Sequence, residues 1–468
     1  MPDPLGSGIL RLIKNQHTFH ILKTSLPAAL DLASQPVMWL IEAVFIGRLS
    51  AAALGGVGFA LQIILVTSTL LLTFVMGAII LINRHLGSKD RWGANHILGQ
   101  TIMSGLLLAI PIGLIWYFGS PVLFKIIQEK EFLTSLSDTY RSGIGSGIEY
   151  LQTVALFAPV LVPNFIAVGM IRGAGDTYWS MAINVTMNVT NAVLTPILIY
   201  GLFGLPRLEV RGAALAMGIA HTLGFCITLF YLRRKTSTLF LSFQEMTRPK
   251  WKSVQRLFKM GLPTTVEQLV WSGGQLVVTG YVALISISAL AIHQVFLRIQ
   301  GVLSMFYLGF GLAAMTYMGK NIGANEHYQA ERTGKMTQRI VLIFGLVILG
   351  VMMVFYKPII HLFIRKEDVI IADYGFRAIF IVFALVQVPK AMNTVISGSL
   401  RGAGDIQWIM WVNIIAVLLL EIGVNWIGAF IFHFGLMGIW TVQMIDELLK
   451  STINFARFQS GKWKLIRV

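Results

Sequence analysis

The pentapeptide Arg172-Gly-Ala-Gly-Asp176 returns as Arg401-Gly-Ala-Gly-Asp405, and this repetition is the strongest constraint on what the chain can become. Across 164–185 and 393–414, at a constant offset of 229, ten of 22 positions are identical. Among them are Asn164/Asn393, Gly169/Gly398, Trp179/Trp408, Met181/Met410 and Asn184/Asn413. A second register, offset by 236, pairs Pro27 with Pro263, Asp31 with Glu267, and Leu86-Gly87 with Ile322-Gly323. Two related halves are therefore joined near residue 245. Internal duplication in a strongly apolar chain points to a transporter.

Charged residues make up 12% of the chain, about half the ~25% usual for soluble domains. Twelve stretches are long and apolar enough to cross a ~30 Å hydrocarbon core as helices. They lie near 26–46, 57–82, 97–118, 151–171, 178–202, 212–232, 262–285, 290–318, 337–356, 375–399, 406–430 and 435–456. Six fall in each half, and an even number gives both halves the same orientation, with a pseudo-axis along the membrane normal. The predicted fold is all-α, a polytopic membrane protein of twelve transmembrane helices in two six-helix lobes. The expected division is an N-terminal lobe over 1–232, a basic linker over 233–256 and a C-terminal lobe over 257–468.

Lysine and arginine set the orientation. The linker holds seven basic residues against one acidic, Glu245. Others cluster in the N-terminal segment (Arg11, Lys14, Lys23), the loop between spans 2 and 3 (Arg84, Lys89, Arg91) and the tail (Lys462, Lys464, Arg467). With both termini cytoplasmic, all these segments face inward, as the positive-inside rule prefers. The expected location is the cell membrane, the inner one in a bacterium. The formal charge of +16 lies largely in short loops beside spans, so it fits a surface attracting anionic lipid headgroups and argues against nucleic acid. The stretch from Ile9 to Lys23 reads as an amphipathic helix lying on the inner membrane face.

No enzymatic signature is visible: there is no P-loop, no His-Glu-x-x-His and no nucleophile elbow. One cysteine, Cys226, excludes a disulfide framework or a metal-thiolate set within one chain. No cofactor or metal is implied, and the energy source is something other than ATP hydrolysis. The repeated pentapeptide has a local meaning as a tight turn. Its first glycine can end a helix in a left-handed conformation, its aspartate can cap the next helix, and Arg172 and Arg401 can meet the preceding carbonyls. The Leu86-Gly87-Ser-Lys-Asp90 and Ile322-Gly323-Ala-Asn-Glu326 segments read as turns of the same kind.

The order of these pieces resembles the multidrug and toxic compound extrusion family, over almost the whole chain from Leu26-Pro27 to about Phe455. The resemblance rests on the duplicated (Leu/Ile)-Arg-Gly-Ala-Gly-Asp turn, Phe45-Ile-Gly-Arg-Leu49, Gly261-Leu-Pro with Glu267, and Ala291-Ile-His-Gln-Val-Phe-Leu-Arg298. It implies two six-helix lobes forming a V, and substrate export coupled to inward movement of H⁺ or Na⁺.

Ionisable residues inside spans are the functional candidates, because a charge in hydrocarbon is costly and needs a partner. Glu42 lies toward the outer end of span 1, and Asn191 and Thr195 reach similar depth in span 5. Asn184, Asn188, Asn191 and Thr195 form a polar stripe at helical spacing, which would equally serve as an interhelical seam. The resemblance implies that the acidic residue of span 1 falls on Glu42, and the span-5 asparagine and aspartate on Asn191 and Thr195. Thr195 thus replaces a carboxylate, and Met217 sits where the family's span-6 threonine is expected. A hard cation needs several oxygens and carboxylate charge, whereas a proton needs one group, so the balance favours H⁺. Asp31 and Glu267 occupy equivalent positions, each four residues beyond a proline. Asp31 shares a face with Glu42 about three turns away, and Glu267 matches the family's span-7 acidic position.

Lys390 falls about mid-membrane in span 10, where it either pairs with Glu267 or Glu421 or recognises an anionic or zwitterionic substrate. Trp271 and Gln275 share a span-7 face with Glu267 and would suit an amphipathic ligand or pack in the core. His293, at the start of span 8, would titrate near neutral pH or act as a hydrogen-bonding spacer. Asp446 and Glu447 read as solvated or salt-bridged near the inner end of span 12. The expected function is a secondary antiporter exporting amphipathic, cationic organic compounds in exchange for H⁺, less readily Na⁺, by alternating access. Ion coupling would fall to Glu42, Asp31, Asn191, Thr195 and Glu267. The partners are a small-molecule substrate and membrane lipid, and a monomer is expected. Two rivals remain: a flippase or exporter of a lipid-linked or anionic substrate, and an uncoupled channel or scaffold.

Overall fold

The computed structural model describes residues 16–129, 143–234, 237–242, 244, 250–361 and 373–466. Its helices are α1 (Gln16–Gly47), α2 (Ala51–Gly87), α3 (Arg91–Glu129), α4 (Ile144–Ala155), α5 (Ala158–Gly173), α6 (Thr177–Tyr200) and α7 (Glu209–Leu232). They continue with α8 (Trp251–Ile285), α9 (Ile287–Gly323), α10 (His327–Val354), α11 (Tyr356–His361), α12 (Asp373–Gly402), α13 (Ile406–Ala416) and α14 (Gly435–Gln459). Ten helices among the described residues are long and apolar enough to cross a bilayer, and the bent pair α4–α5 makes eleven. The 25-residue α14 lies at the place of the twelfth predicted span and carries Asp446, Glu447, Lys450 and Arg457; it falls outside that count. No strand occurs among the described residues.

Four boundaries depart from expectation. The part of the Ile9–Lys23 segment that is described, from Gln16, continues without a break into the first span as α1; residues 9–15 lie outside the described residues. α8 begins eleven residues before the predicted Leu262, at Trp251. Span 4, expected as one helix over 151–171, starts at Ile144 and bends by 70° between Ala155 and Ala158. Pro159, at the start of α5, supplies no N–H to the preceding turn, which frees the chain to change direction there. The fourth lies beyond α13, where the backbone widens into π-helix over Val417–Val424 and again over Ile427–Ile431. Such winding recurs at functional sites.

Packing divides the chain into two compact units. The N-unit holds 30–82 and 90–261, and the C-unit holds 83–89, 262–468 and the residues up to Ala29. The difference from the division at 233–256 lies in where the first turns of α1 and α8 pack. In the C-unit, a Cβ on Gly309 of α9 would lie 2.6 Å from the Ser25 carbonyl oxygen of α1. In the N-unit, a Cβ on Gly261 of α8 would lie 1.6 Å from the Thr73 carbonyl oxygen of α2. Backbones this close tolerate only glycine, the small-residue packing expected between membrane helices. Each unit has apolar clusters of its own: Trp116, Tyr150, Leu151 and Ile199 in the N-unit, and Phe296, Phe380, Phe383 and Trp440 in the C-unit.

Candidate functional site

The two Arg-Gly-Ala-Gly-Asp turns have the same backbone. The Asp176 N–H donates to the Ile171 carbonyl (3.2 Å) and the Gly175 N–H to that of Arg172 (3.0 Å). In the second copy Asp405 donates to Leu400 (2.9 Å) and Gly404 to Arg401 (2.9 Å). The long-reaching bond five residues back is the helix-ending motif that a glycine of positive φ permits. That glycine is the second of each pair, Gly175 (φ 92°) and Gly404 (φ 88°), and not the first as expected. The first glycines stay helical, and neighbours leave no room there for a side chain: a Cβ on Gly173 would lie 2.2 Å from Ile79 Cγ1, and one on Gly402 2.3 Å from the Met315 carbonyl oxygen.

The charged ends of the motif also act at longer range than expected. Neither aspartate side chain caps its following helix. Asp176 accepts a hydrogen bond from the Tyr231 hydroxyl, and Asp405 accepts from Arg457 Nε (2.8 Å). Both partners lie in the last helix of their half. The arginines reach into the first helix instead of meeting local carbonyls. Arg172 Nη1 lies 3.1 Å from Asp31 Oδ2, and Arg401 Nη2 lies 2.6 Å from Glu267 Oε1. An asparagine twelve residues beyond each arginine adds a second donor: Asn184 to Asp31 at 2.5 Å and Asn413 to Glu267 at 2.7 Å. Ser180 gives Asp31 a third at 2.8 Å. The identities Arg172/Arg401 and Asn184/Asn413 are thus two halves of a duplicated carboxylate clamp.

Further along α1, the surroundings change. Glu42 is 1% exposed, and its Oε1 accepts a hydrogen bond from the Tyr150 hydroxyl at 2.7 Å while Oε2 has no hydrogen-bond partner. The Tyr150 oxygen also lies 3.4 Å from Met217 Sδ. Asn191 and Thr195 are buried and bond to each other, Thr195 Oγ1 donating to Asn191 Oδ1 at 3.2 Å; Asn191 Nδ2 is unpartnered. Asn188 joins the stripe to α1 through Ser34 (2.8 Å). Tyr150 was missed by the sequence reading. It sits one residue before the predicted start of span 4, on α4, ahead of the bend.

The C-unit holds a second buried group. Lys390 pairs with Glu447 (3.1 Å) and with neither of the carboxylates expected for it, and Asn393 holds the other Glu447 oxygen (3.0 Å). Lys450 lies 2.5 Å from Asp446, 3.8 Å from Glu447 and 3.8 Å from Glu421. Asp446 and Glu447 are 0% and 4% exposed, so of the two alternatives, solvated or salt-bridged, the structure shows the salt-bridged one. Gln275 donates to Glu421 at 3.0 Å, and so serves the π-helical segment and not Glu267. Trp271 is partly exposed on α8. His293 is 2% exposed, 5.6 Å from the Trp440 ring, with neither ring nitrogen hydrogen-bonded.

With this geometry in view, similarity to known proteins decides the family. The MatE protein-family model matches residues 27–197 and 263–427, one stretch in each half. The chain belongs to the MatE family. A probable multidrug resistance protein NorM of Thermotoga maritima is 26% identical over 449 residues, covering 95% of this chain and 92% of the relative. The uncharacterized transporter YisQ of Bacillus subtilis is 23% identical over 451 residues, covering 95% of each. In fold, the MatE chain matches a MOP superfamily transporter from Pyrococcus furiosus with a TM-score of 0.83 at 20% identity, over 97% of this chain and 98% of that one. It also matches an outward-facing multidrug resistance MATE transporter with a TM-score of 0.80 at 20% identity, over 97% and 98%. This MatE protein is a multi-pass membrane transporter and not an enzyme.

Proposed function

We propose that this MatE protein exports amphipathic organic cations in exchange for protons, with Glu42 as the proton-carrying group. The observation that carries the reading is the isolation of Glu42. It is buried at membrane depth, its one hydrogen bond comes from a neutral phenol, and one of its oxygens is unpartnered. Burying a carboxylate charge without a countercharge is costly, so a proton or a cation must accompany it. Asp31 and Glu267 have arginines for that purpose.

The choice of proton over Na⁺ rests on the ligands. A hard cation prefers several oxygens, including charged ones. On α6, Thr195 stands where the family resemblance expects a carboxylate, and beside Tyr150 stands the thioether of Met217. The cationic substrate is favoured because Lys390, the one group that suggested an anion, has its charge taken up by Glu447. The names of the Thermotoga and other relatives support a multidrug range. No cofactor enters this reading; coupling requires only that the proton bind the two access states with different affinity.

The test is export of a cationic dye from proteoliposomes under separately imposed pH and Na⁺ gradients. Wild type is expected to respond to the pH gradient alone, and Glu42→Gln to lose that response while still binding dye. Full pH-driven export by Glu42→Gln would remove Glu42 from the mechanism, and export driven only by Na⁺ would overturn the proton reading.

A further inference from the structure

We propose that a groove between the first half of α3 and the first turns of α8 is a specific site for an anionic phospholipid, independent of the transport mechanism. The groove has a volume of about 800 Å³ and lies wholly in the N-unit. Its walls are Phe74, Met103, Leu107, Leu108, Val254 and Phe258, and no carboxylate lines it. The polar groups at its base already have partners: Gln100 Oε1 accepts the Lys250 backbone N–H at 2.7 Å, and Ser104 Oγ donates to the Gln100 carbonyl at 2.8 Å. Such a slot favours a hydrocarbon chain over a solvated ligand.

The rim has the opposite character. Lys252, Arg256 and Lys259 recur at helical spacing on α8, all exposed, with Lys250 just before the helix. Lys250 Nζ stands 5.3 Å from the Trp92 ring centre. Trp92 and Trp251 are 62% and 70% exposed at the two helix starts, the position where tryptophan anchors a helix at a membrane–water boundary. Lys250, Lys252 and Lys259 beside an apolar slot that no carboxylate lines repel a cationic substrate and complement a phosphate headgroup. The groove is also rigid. A Cβ on Gly77 of α2 would lie 2.1 Å from the Leu257 carbonyl oxygen, and Gly261 meets Thr73 more closely still, so the α8 wall is locked to α2.

The experiment is native mass spectrometry of the detergent-solubilised full chain, titrated with phosphatidylglycerol or phosphatidylcholine. Wild type is expected to retain one phosphatidylglycerol in preference to phosphatidylcholine. The variant Lys250→Gln/Lys252→Gln/Lys259→Gln should lose that preference by about a hundredfold, from the usual contribution of each basic residue near an anionic headgroup. Leu107→Trp, which narrows the slot without changing charge, should release the tight lipid as well. The control Arg332→Gln/Arg339→Gln/Lys462→Gln removes as many exposed charges from the C-unit and should leave binding intact. Equal losses in the groove and control variants would mean diffuse surface attraction and overturn the site. Retention of the tight lipid by Leu107→Trp would overturn it too.

Discussion

Asp31 and Glu267 stand at equivalent places in the two halves and are gripped by the same groups, an arginine from the repeated turn and an asparagine twelve residues on. Asp31 has a third donor, Ser180, where the second half has Ile409, and Glu267 keeps one oxygen without a partner. Deeper along the same helices the halves part altogether. At the 236 offset the place of Glu42 is taken in α8 by Val278. In the other direction, Lys390 answers to Leu161 and Glu421 to Ala192 at the 229 offset. The duplicated clamp has been kept for holding first, fifth and turn segments together. The isolated acid of one half and the lysine–carboxylate group of the other have no counterpart across the repeat. Glu42, the proposed proton carrier, is thus a group that the halves do not share.

The largest expected effect tests the clamp. Removing one partner of a buried ion pair leaves an uncompensated charge and costs about 3–5 kcal/mol. Arg401→Met should fall in that range by thermal unfolding in detergent, because Glu267 would retain only Asn413. Arg172→Met should cost less, since Ser180 and Asn184 still serve Asp31. The double variant Arg401→Met/Glu267→Gln should recover most of the loss. A larger loss for Arg172→Met would show that neutral donors give no cushion, and the comparison between halves would fail.

Ser180 sharpens the same point. A buried hydrogen bond to a charged group contributes roughly 1.5–3 kcal/mol, so Ser180→Ala should destabilise by about that much. It also makes Asp31 resemble Glu267. In this background Arg172→Met should become as damaging as Arg401→Met, a coupling that a double-mutant cycle measures directly. Additive losses would place Ser180 outside the clamp.

The turns should respond alike. Gly175 and Gly404 have φ values of 92° and 88°, and a side chain in such a conformation costs of order 1–3 kcal/mol. Gly175→Ala and Gly404→Ala should therefore lower the unfolding midpoint by similar amounts. Unequal shifts would mean that packing around one turn, and not its backbone, sets the cost.

Much of this was legible from the residues. Long apolar runs announce membrane helices, and a repeat with two offsets pairs Asp31 with Glu267 before any coordinates exist. The partners were harder to read because they are far apart in sequence. Arg172 meets Asp31 across 141 positions and Lys390 meets Glu447 across 57. The local chemistry of a turn suggested nearby carbonyls and a helix cap instead. Tyr150 was hidden for another reason: a bend between Ala155 and Ala158 carries the span back beyond its apolar core, so hydropathy ends one residue short of the group that touches Glu42. The π-helical stretch around Glu421 has no sequence signal that we recognise.

The smallest effect concerns the aspartates that end each repeat. Asp176 is held by the Tyr231 hydroxyl and Asp405 by Arg457, each from the last helix of its half. The two contacts share one register, because Tyr231 and Arg457 are 226 positions apart, as are Thr228 and Asn454, which bond Asn164 and Asn393. One half thus closes the turn with a neutral donor and the other with a cation that also lies 4.7 Å over the Trp408 ring. Both bonds end on a carboxylate and are charge-assisted, but only Arg457 brings an opposite charge, through two of its nitrogens. Tyr231→Phe should therefore cost about 1.5 kcal/mol, the low end for a hydrogen bond to a charged group, and Arg457→Met more. Amide hydrogen exchange over 171–177 and 400–406 reads the difference locally: exchange in the first turn should quicken slightly in Tyr231→Phe, and in the second more strongly in Arg457→Met. If the phenol proves the stronger tie, the neutral closure is the more important of the two, and charge is not what distinguishes the turns.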